Sequence, residues 1–194
     1  MKWTPLKGKV KAKIILLILW GCSFILNAVA FGAPPGEVIS LAEGPNEIDL
    51  NGDKVKDLVL KNWRENHNGH GYYVYLFSIR SAAEAEHPWQ VVAIQKPGGP
   101  NYSDSLATSE GADCVLKDIR LRRNESGVQL IVAEREFGAG YADSQVVHFT
   151  FYRLQQDPSG LPGVPEYAYT VLKSQDSKKK YCDVNQAFSE VLAK

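Results

Sequence analysis

Cysteine, surplus charge and long apolar runs are all scarce in this sequence. It has three cysteines among 194 residues, and its 22 basic residues are balanced by 22 acidic ones. Without a basic surplus, the chain lacks the feature that selects nucleic acids or anionic membranes as partners. Its one long apolar run, residues 14–26, is shorter and more poorly flanked than a membrane-spanning helix requires.

The first thirty residues have the pattern of a signal peptide. Five lysines between positions 2 and 13 precede the apolar run, and small residues, Ala28 and Ala30, stand at the −3 and −1 positions of a signal-peptidase site. We therefore expect residues 1–30 to be removed and the protein to be periplasmic. The alternative is a lipoprotein lipidated at Cys22, although Trp20 and the apolar residues after Cys22 fit that pattern poorly.

Removal of this leader makes the protein mildly acidic. Five of the 22 basic residues and none of the 22 acidic residues lie within it, so residues 31–194 carry a net charge of −5. A net negative charge argues against a nucleic-acid partner. We expect contact with the membrane only through the leader. A stretch of this length suits a single domain with one core.

The two cysteines that follow the leader are Cys114 and Cys182. An even pair in an oxidising compartment predicts a disulfide. Such a bond would close a long loop and tie the C-terminal segment to the middle of the domain.

The motifs of common exported hydrolases are also missing. There is no G-x-S-x-G elbow and no H-E-x-x-H helix, and the one S-x-x-K, at residues 177–180, lacks its supporting motifs. His67 and His70 have the wrong spacing for an H-x-H-x-D metallo-hydrolase. We therefore predict no catalytic residues.

Alternating apolar and polar residues predict a mainly β domain. The C-terminal end alone is helical in pattern, with Asp183 as its N-cap, whereas residues 101–112 and the lysines at 178–180 are typical of loops. We expect an antiparallel β-sandwich or barrel-like domain with a short C-terminal helix. The predicted strands span residues 56–63, 72–80, 89–95, 114–122, 128–137, 145–154 and 167–173.

An acidic stretch before the first long strand has the oxygen-ligand spacing of a Ca²⁺ loop. Lys54 stands where an EF-hand has glycine, and Leu60 stands where it has a bidentate glutamate, so an EF-hand is excluded. The alternative is a plain hairpin turn at Asn51 and Gly52. The candidate metal ligands, at relative positions 1, 3, 5, 7 and 9, are Asp49, Asn51, Asp53, Val55 through its carbonyl, and Asp57.

Two further groups of polar residues are candidates for ligand binding. His67 and His70 share a loop rich in asparagine, and Glu134 and Glu136 lie on one face of a predicted strand beside a Gly-rich turn that ends at Tyr141. Paired carboxylates catalyse glycoside hydrolysis, so a glycosidase using Glu134 and Glu136 is one alternative. The other alternative is that Glu134 and Glu136 lie on an ordinary strand face that points outward.

The order of several sequence blocks resembles one known family. DLNGDKVKDLVL, RENHNGH, CVLKDIRL, AEREFGAGYADSQVVHFTFYRL and YCDVNQAF are similar to blocks of the CarG-type (CpmJ-like) carbapenem intrinsic-resistance proteins. The resemblance covers most of the chain after the leader. It implies a periplasmic protein that protects the cell against carbapenems without hydrolysing them.

We therefore expect a non-catalytic binding protein. Its partner would be a periplasmic protein or a β-lactam-related ligand, and a homodimer is left open. The alternative from another class is a Ca²⁺-stabilised carbohydrate-binding or adhesion module, for which Ca²⁺ would be the cofactor.

Overall fold

The computed structural model describes residues 36–81, 85–111 and 113–192, which form two β-sheets and a short C-terminal helical segment. The signal peptide at residues 1–30 and the alternative lipidation site at Cys22 lie outside these residues. Nearly all of the strand pairs are antiparallel, as the alternating sequence pattern predicts.

The larger sheet has the strand order β1-β10-β11-β12-β13-β6-β7, and β9 pairs with the same edge of β10 as β1. Its one parallel pair joins β13 to β6. The strands of this sheet are β1 Val38–Ile39, β6 Ala93–Gln95, β7 Tyr102–Ser103, β9 Ser109–Glu110, β10 Val115–Asn124, β11 Gly127–Arg135, β12 Gln145–Gln156 and β13 Tyr167–Tyr181.

The smaller sheet has the order β2-β3-β4-β5, and β8 also pairs with β4. Its inner face carries the aromatic residues that alternate along β4, including Tyr75 and Phe77. The strands of this sheet are β2 Gly44–Ile48, β3 Asp57–Arg64, β4 Tyr72–Arg80, β5 Trp89–Val91 and β8 Leu106–Ala107.

The two sheets pack face to face over the main hydrophobic core. Phe77 of the smaller sheet meets Tyr169 of the larger sheet edge to face, with ring centroids 5.3 Å apart. Both residues are fully buried, and burying an aromatic side chain stabilises the fold by about 2 kcal/mol or more. The prediction of an antiparallel sandwich is therefore confirmed.

A second core lies on the other face of the larger sheet, beneath helices α1 Val184–Ala187 and α2 Ser189–Leu192. The Asp183 side chain accepts the Asn185 N–H, which confirms the predicted N-cap. Phe188 then packs on Phe149 of the sheet, with ring centroids 5.8 Å apart.

Across the described ranges, none of the helices has both the length and the apolar character needed to span a bilayer.

Three predicted boundaries were wrong because pairing between strands overrides local pattern. Residues 89–95 form two strands, because β5 belongs to the smaller sheet and β6 to the larger one, with the buried Val92 between them. The lysines at 178–180 continue β13, where Lys180 pairs with Val146. Residues 101–112, predicted as irregular, contain the short strands β7, β8 and β9.

Candidate functional site

The acidic loop between β2 and β3 spans residues 49–56, so the tight turn at Asn51 and Gly52 is not formed. The two carboxylate oxygens of Asp49 accept the N–H groups of Gly52 and Lys54, at 2.7 and 3.0 Å. Asp53 accepts the N–H of Val55 at 2.7 Å and the side-chain amide of Asn51 at 2.9 Å. The loop therefore satisfies its own backbone donors.

Asp57, the last of the predicted metal ligands, lies in the core and is 0% exposed. Its two oxygens accept the N–H groups of Leu50 and Arg80, at 2.8 and 3.0 Å. Burial raises the pKa of this carboxyl, and the two hydrogen bonds oppose that shift. Asp57 therefore ties the acidic loop to β4.

The predicted Ca²⁺ ligands of the acidic loop form hydrogen bonds within the protein. Within residues 36–81, 85–111 and 113–192, no three His, Cys, Asp or Glu side chains gather closely enough to hold a metal ion. The carboxylates of Asp49, Asp53 and Asp57 accept backbone N–H groups, so the loop is held in place by its own hydrogen bonds. Calcium binding stays a prediction that a melting experiment tests.

The loop between β3 and β4 carries the two candidate histidines. Its side chains fold back onto its own backbone: Glu65 accepts the N–H of His67 at 2.6 Å, and Asn68 accepts that of His70 at 2.9 Å. The Asn66 amide donates to the carbonyl of His70 at 2.8 Å. These bonds hold the loop and direct the two imidazoles independently.

His70 and Tyr141 come together in the fold, although 70 residues separate them. Their rings stack with centroids 4.7 Å apart, and Phe137 meets the other side of Tyr141 edge to face at 4.6 Å. Gly111 lies against this tyrosine ring, where a Cβ atom would collide with it. The stack joins the β3–β4 loop to the β11–β12 loop at one end of the sandwich.

Arg135 holds the β11–β12 loop beside the disulfide. This arginine is 3% exposed and donates to three backbone carbonyls, those of Glu136, Tyr141 and Cys182. Cys182 is bonded to Cys114, with their Cα atoms 5.7 Å apart, so the predicted disulfide is confirmed. By closing a 68-residue separation, it stabilises the fold by about 4 kcal/mol on the chain-entropy estimate.

Four polar side chains form a line across four adjacent strands of the larger sheet. Lys117 pairs with Glu134, Glu134 with His148, and His148 with Asp176 in the strand register. The Lys117 ammonium lies 3.1 Å from the Glu134 carboxylate, and His148 Nδ1 lies 2.6 Å from Asp176 Oδ1. We call these four residues the charged row.

The charged row lines a cavity of about 450 Å³. Glu136 lines it as well, so the two candidate glutamates share one cavity, as strand alternation predicts. Thr150 and Ser174 add hydroxyl groups, and Leu106 adds an apolar wall. The volume is in the range of small-molecule sites.

Comparison with known proteins gives the family. The family model described as "Carbapenem resistance protein CarG-like" matches residues 41–190, most of the chain. The chain belongs to the CarG-like family. Its fold is similar to that in the crystal structure of CarG, with a TM-score of 0.66 and 22% identity over 81% of this chain and 95% of CarG. A comparison with curated proteins found no match.

The CarG-like chain has a cavity equipped for binding polar ligands. With its proton on Nδ1, His148 donates to Asp176 and leaves Nε2 as an acceptor. Burial, together with the charge of Glu134, raises the pKa of Tyr152 to about 12, so this phenol remains a hydrogen-bond donor at neutral pH. Hydrogen-bond donors, hydrogen-bond acceptors and charged groups of both signs therefore face the same cavity.

The sequence pattern identified only one of the four residues of the charged row. Lys117, His148 and Asp176 were not predicted as site residues. Their meeting depends on the register of β10, β11, β12 and β13, which no local pattern gives. Of the predicted ligand candidates, only Glu134 and Glu136 line this cavity.

Proposed function

We propose that the protein is an exported, non-catalytic binding protein that protects the cell against carbapenem antibiotics without hydrolysing them. Membership in the CarG-like family carries this proposal. The signal-peptide pattern of residues 1–30 supports a periplasmic location, where β-lactams act on their targets. The charged-row cavity is the proposed binding site for a periplasmic partner or a β-lactam-related ligand.

The geometry of the glutamates supports binding rather than glycoside hydrolysis. A general acid in a glycosidase needs a raised pKa, which burial in an apolar pocket usually provides. The Glu134 side chain is instead 57% exposed and forms an ion pair with Lys117. Glu134 therefore lacks the apolar surroundings of such a general acid.

The hydroxyl groups of the cavity also lack the contacts of an activated nucleophile. Ser174 and Thr150 share the cavity with the His148–Asp176 pair, and a His–Asp pair is also found as the base and orienting group of catalytic triads. Within the described part of the chain, neither hydroxyl forms a hydrogen bond with His148. The His148 and Asp176 side chains are 52% and 64% exposed, so water surrounds the pair.

A direct test follows the antibiotic itself. Purified protein without its leader is incubated with a carbapenem, once at equal concentrations and once with the protein at a hundredfold lower concentration than the carbapenem. The absorbance of the β-lactam ring is recorded in both. We expect the same rate of loss as in buffer. Turnover that Ser174→Ala or His148→Gln abolishes would contradict the proposal and establish hydrolysis at this cavity.

Binding at the charged row is tested with a matched pair of double variants. Glu134→Gln with Asp176→Asn removes both carboxylates of the row, and Glu125→Gln with Asp104→Asn removes two exposed carboxylates elsewhere. We expect only the first to lose protection when each is expressed in a strain that lacks the gene. Equal protection by both double variants would place the binding site elsewhere.

A further inference from the structure

A second cavity, of about 490 Å³, lies between the segment after β1, the edge of β10 and the inner face of β3 and β4. It shares no lining residue with the charged-row cavity. Charged groups of both signs line it, Lys61 and Arg120 against Glu110 and Asp118, so that its net charge is balanced.

An interruption in strand pairing creates this cavity. Along the outer edge of β10, β1 pairs Ile39 with Leu121 and β9 pairs Ser109 with Lys117. Within the described residues, no strand pairs with this edge at Ile119, whose other edge pairs with Val132 of β11. Its N–H donates to the Asp118 carboxylate at 2.8 Å, and its carbonyl accepts from Arg120 at 2.6 Å. Asp118 and Arg120 also bond to each other at 2.6 Å, so this pair is already satisfied.

Three other polar groups of the cavity have no such partner within the described residues. Tyr75 is 4% exposed, and its hydroxyl forms no hydrogen bond with any described group. The Lys61 ammonium lies over the ring of Tyr73, 4.3 Å from the centroid, but no carboxylate of the described residues lies within 4.0 Å of it. Among the same residues, the Glu110 carboxylate has neither an ion pair nor a hydrogen bond.

Such groups are complementary to a ligand that carries both charges. A partly buried charge without a counter-charge is unfavourable, and the accessible hydroxyl of Tyr75 is available for a hydrogen bond with a ligand. Burial raises the pKa of Glu110, with Asp118 adding to the shift and Lys61 opposing it, which agrees with an uncompensated carboxylate. A ligand of one sign would satisfy Lys61 or Glu110 and leave the other unpaired.

We propose that this cavity binds a small zwitterion of about dipeptide size. Lys61 receives its carboxylate, Glu110 receives its ammonium group, and the hydroxyl of Tyr75 supplies a further hydrogen bond. The apolar wall of Ile39, Leu41 and Leu121 accommodates an aliphatic side chain. The cavity volume suits a ligand of this size. This binding site is separate from the charged row, and it does not depend on the protection proposed above.

Isothermal titration with the dipeptide Ala-Leu tests the proposal. Two capped forms are the matched ligands: N-acetyl-Ala-Leu lacks the ammonium group, and Ala-Leu amide lacks the carboxylate. We expect Ala-Leu to bind at least tenfold more tightly than either capped form. Absence of binding at millimolar Ala-Leu, or equal affinity for all three, would overturn the proposal.

Single variants assign each charge to its residue. Lys61→Gln is expected to bind Ala-Leu and its amide equally, and Glu110→Gln is expected to bind Ala-Leu and its N-acetyl form equally. The control is Lys173→Gln, since Lys173 also lies over an aromatic ring, 4.5 Å from the centroid of Phe151, but outside the cavity. Loss of selectivity in this control, or unchanged selectivity in Lys61→Gln and Glu110→Gln, would overturn the assignment. Thermal unfolding of each variant confirms that it is folded.

Discussion

Arg135 donates from its buried guanidinium to the carbonyl oxygen of Cys182, and so joins the end of β11 to the disulfide. The same guanidinium also binds the carbonyls of Glu136 and Tyr141. A buried cation has here taken backbone carbonyls as its partners in place of a carboxylate. Arg135 therefore fixes both ends of the loop segment from Glu136 to Tyr141.

Replacing the Arg135 side chain tests this role. Arg135→Met keeps much of the volume but leaves three carbonyls without a donor, and we expect the free energy of unfolding to fall by about 3 kcal/mol. Urea unfolding measures the loss. Arg153→Met, at an exposed position of β12, is the control and should change stability by less than about 0.5 kcal/mol. Equal losses in the two variants would contradict the role of Arg135.

A close approach between two turns gives a second prediction. Gly127, at the start of β11, has a φ of +119°, and a Cβ atom there would collide with the carbonyl oxygen of Leu50. Gly127→Ala should therefore destabilise the protein by about 3 kcal/mol, from backbone strain and the collision together. Gly99→Ala is the control, because open space surrounds Gly99. Similar unfolding midpoints for the two variants would show that the turns do not pack in this way.

The buried carboxyl of Asp57 makes stability depend on pH. Because burial raises its pKa above the ordinary value of 3.8, the folded protein retains this proton to higher pH than the unfolded chain. Its contribution to the free energy of unfolding is thus fully present below pH 3.8, and it is lost as the pH rises through the raised pKa. Asp57→Asn removes this titration.

The stability of the wild type minus that of Asp57→Asn should therefore decrease as the pH rises from 3 to 7. Urea unfolding at each pH gives the difference. Asp104→Asn, at an exposed loop position, controls for the loss of one carboxylate from the whole chain. A difference that increases with pH would show that the two hydrogen bonds to Asp57 outweigh its burial.

Calcium dependence distinguishes the two interpretations of the acidic loop. Because Asp49 and Asp53 already accept backbone N–H groups, we expect the same melting temperature in 5 mM CaCl2 and in EDTA. A rise of several degrees with Ca²⁺ that is lost in Asp53→Asn would instead establish a cation site. It would also favour the carbohydrate-binding or adhesion alternative.

Much of the fold is predictable from alternation along the chain. The predicted bounds of the strand at Tyr72–Arg80 agree with the structure, because one of its faces lies in the core and repeats every second residue. The C-terminal helix was predicted from its Asp183 cap and the spacing of its apolar residues. Features encoded in neighbouring residues are therefore accessible to sequence reasoning.

Features that depend on partners distant in sequence cannot be predicted in this way. Val92 has the same apolar character as its neighbours, and only the packing of two sheets makes it the point where the chain changes sheets. Likewise, Glu134 and His148 become neighbours through strand register, and the burial of Arg135 depends on the carbonyl of Cys182. The charged row was for this reason only partly predicted.

Susceptibility of the host to carbapenems tests whether the protein protects the cell. The gene is deleted, and the minimum inhibitory concentration of a carbapenem is measured in the deletion strain, with the wild-type gene restored, and with the Glu134→Gln/Asp176→Asn gene restored. We expect a lower inhibitory concentration after deletion, recovery with the wild type and no recovery with the double variant. An inhibitory concentration unchanged by deletion would contradict a protective function.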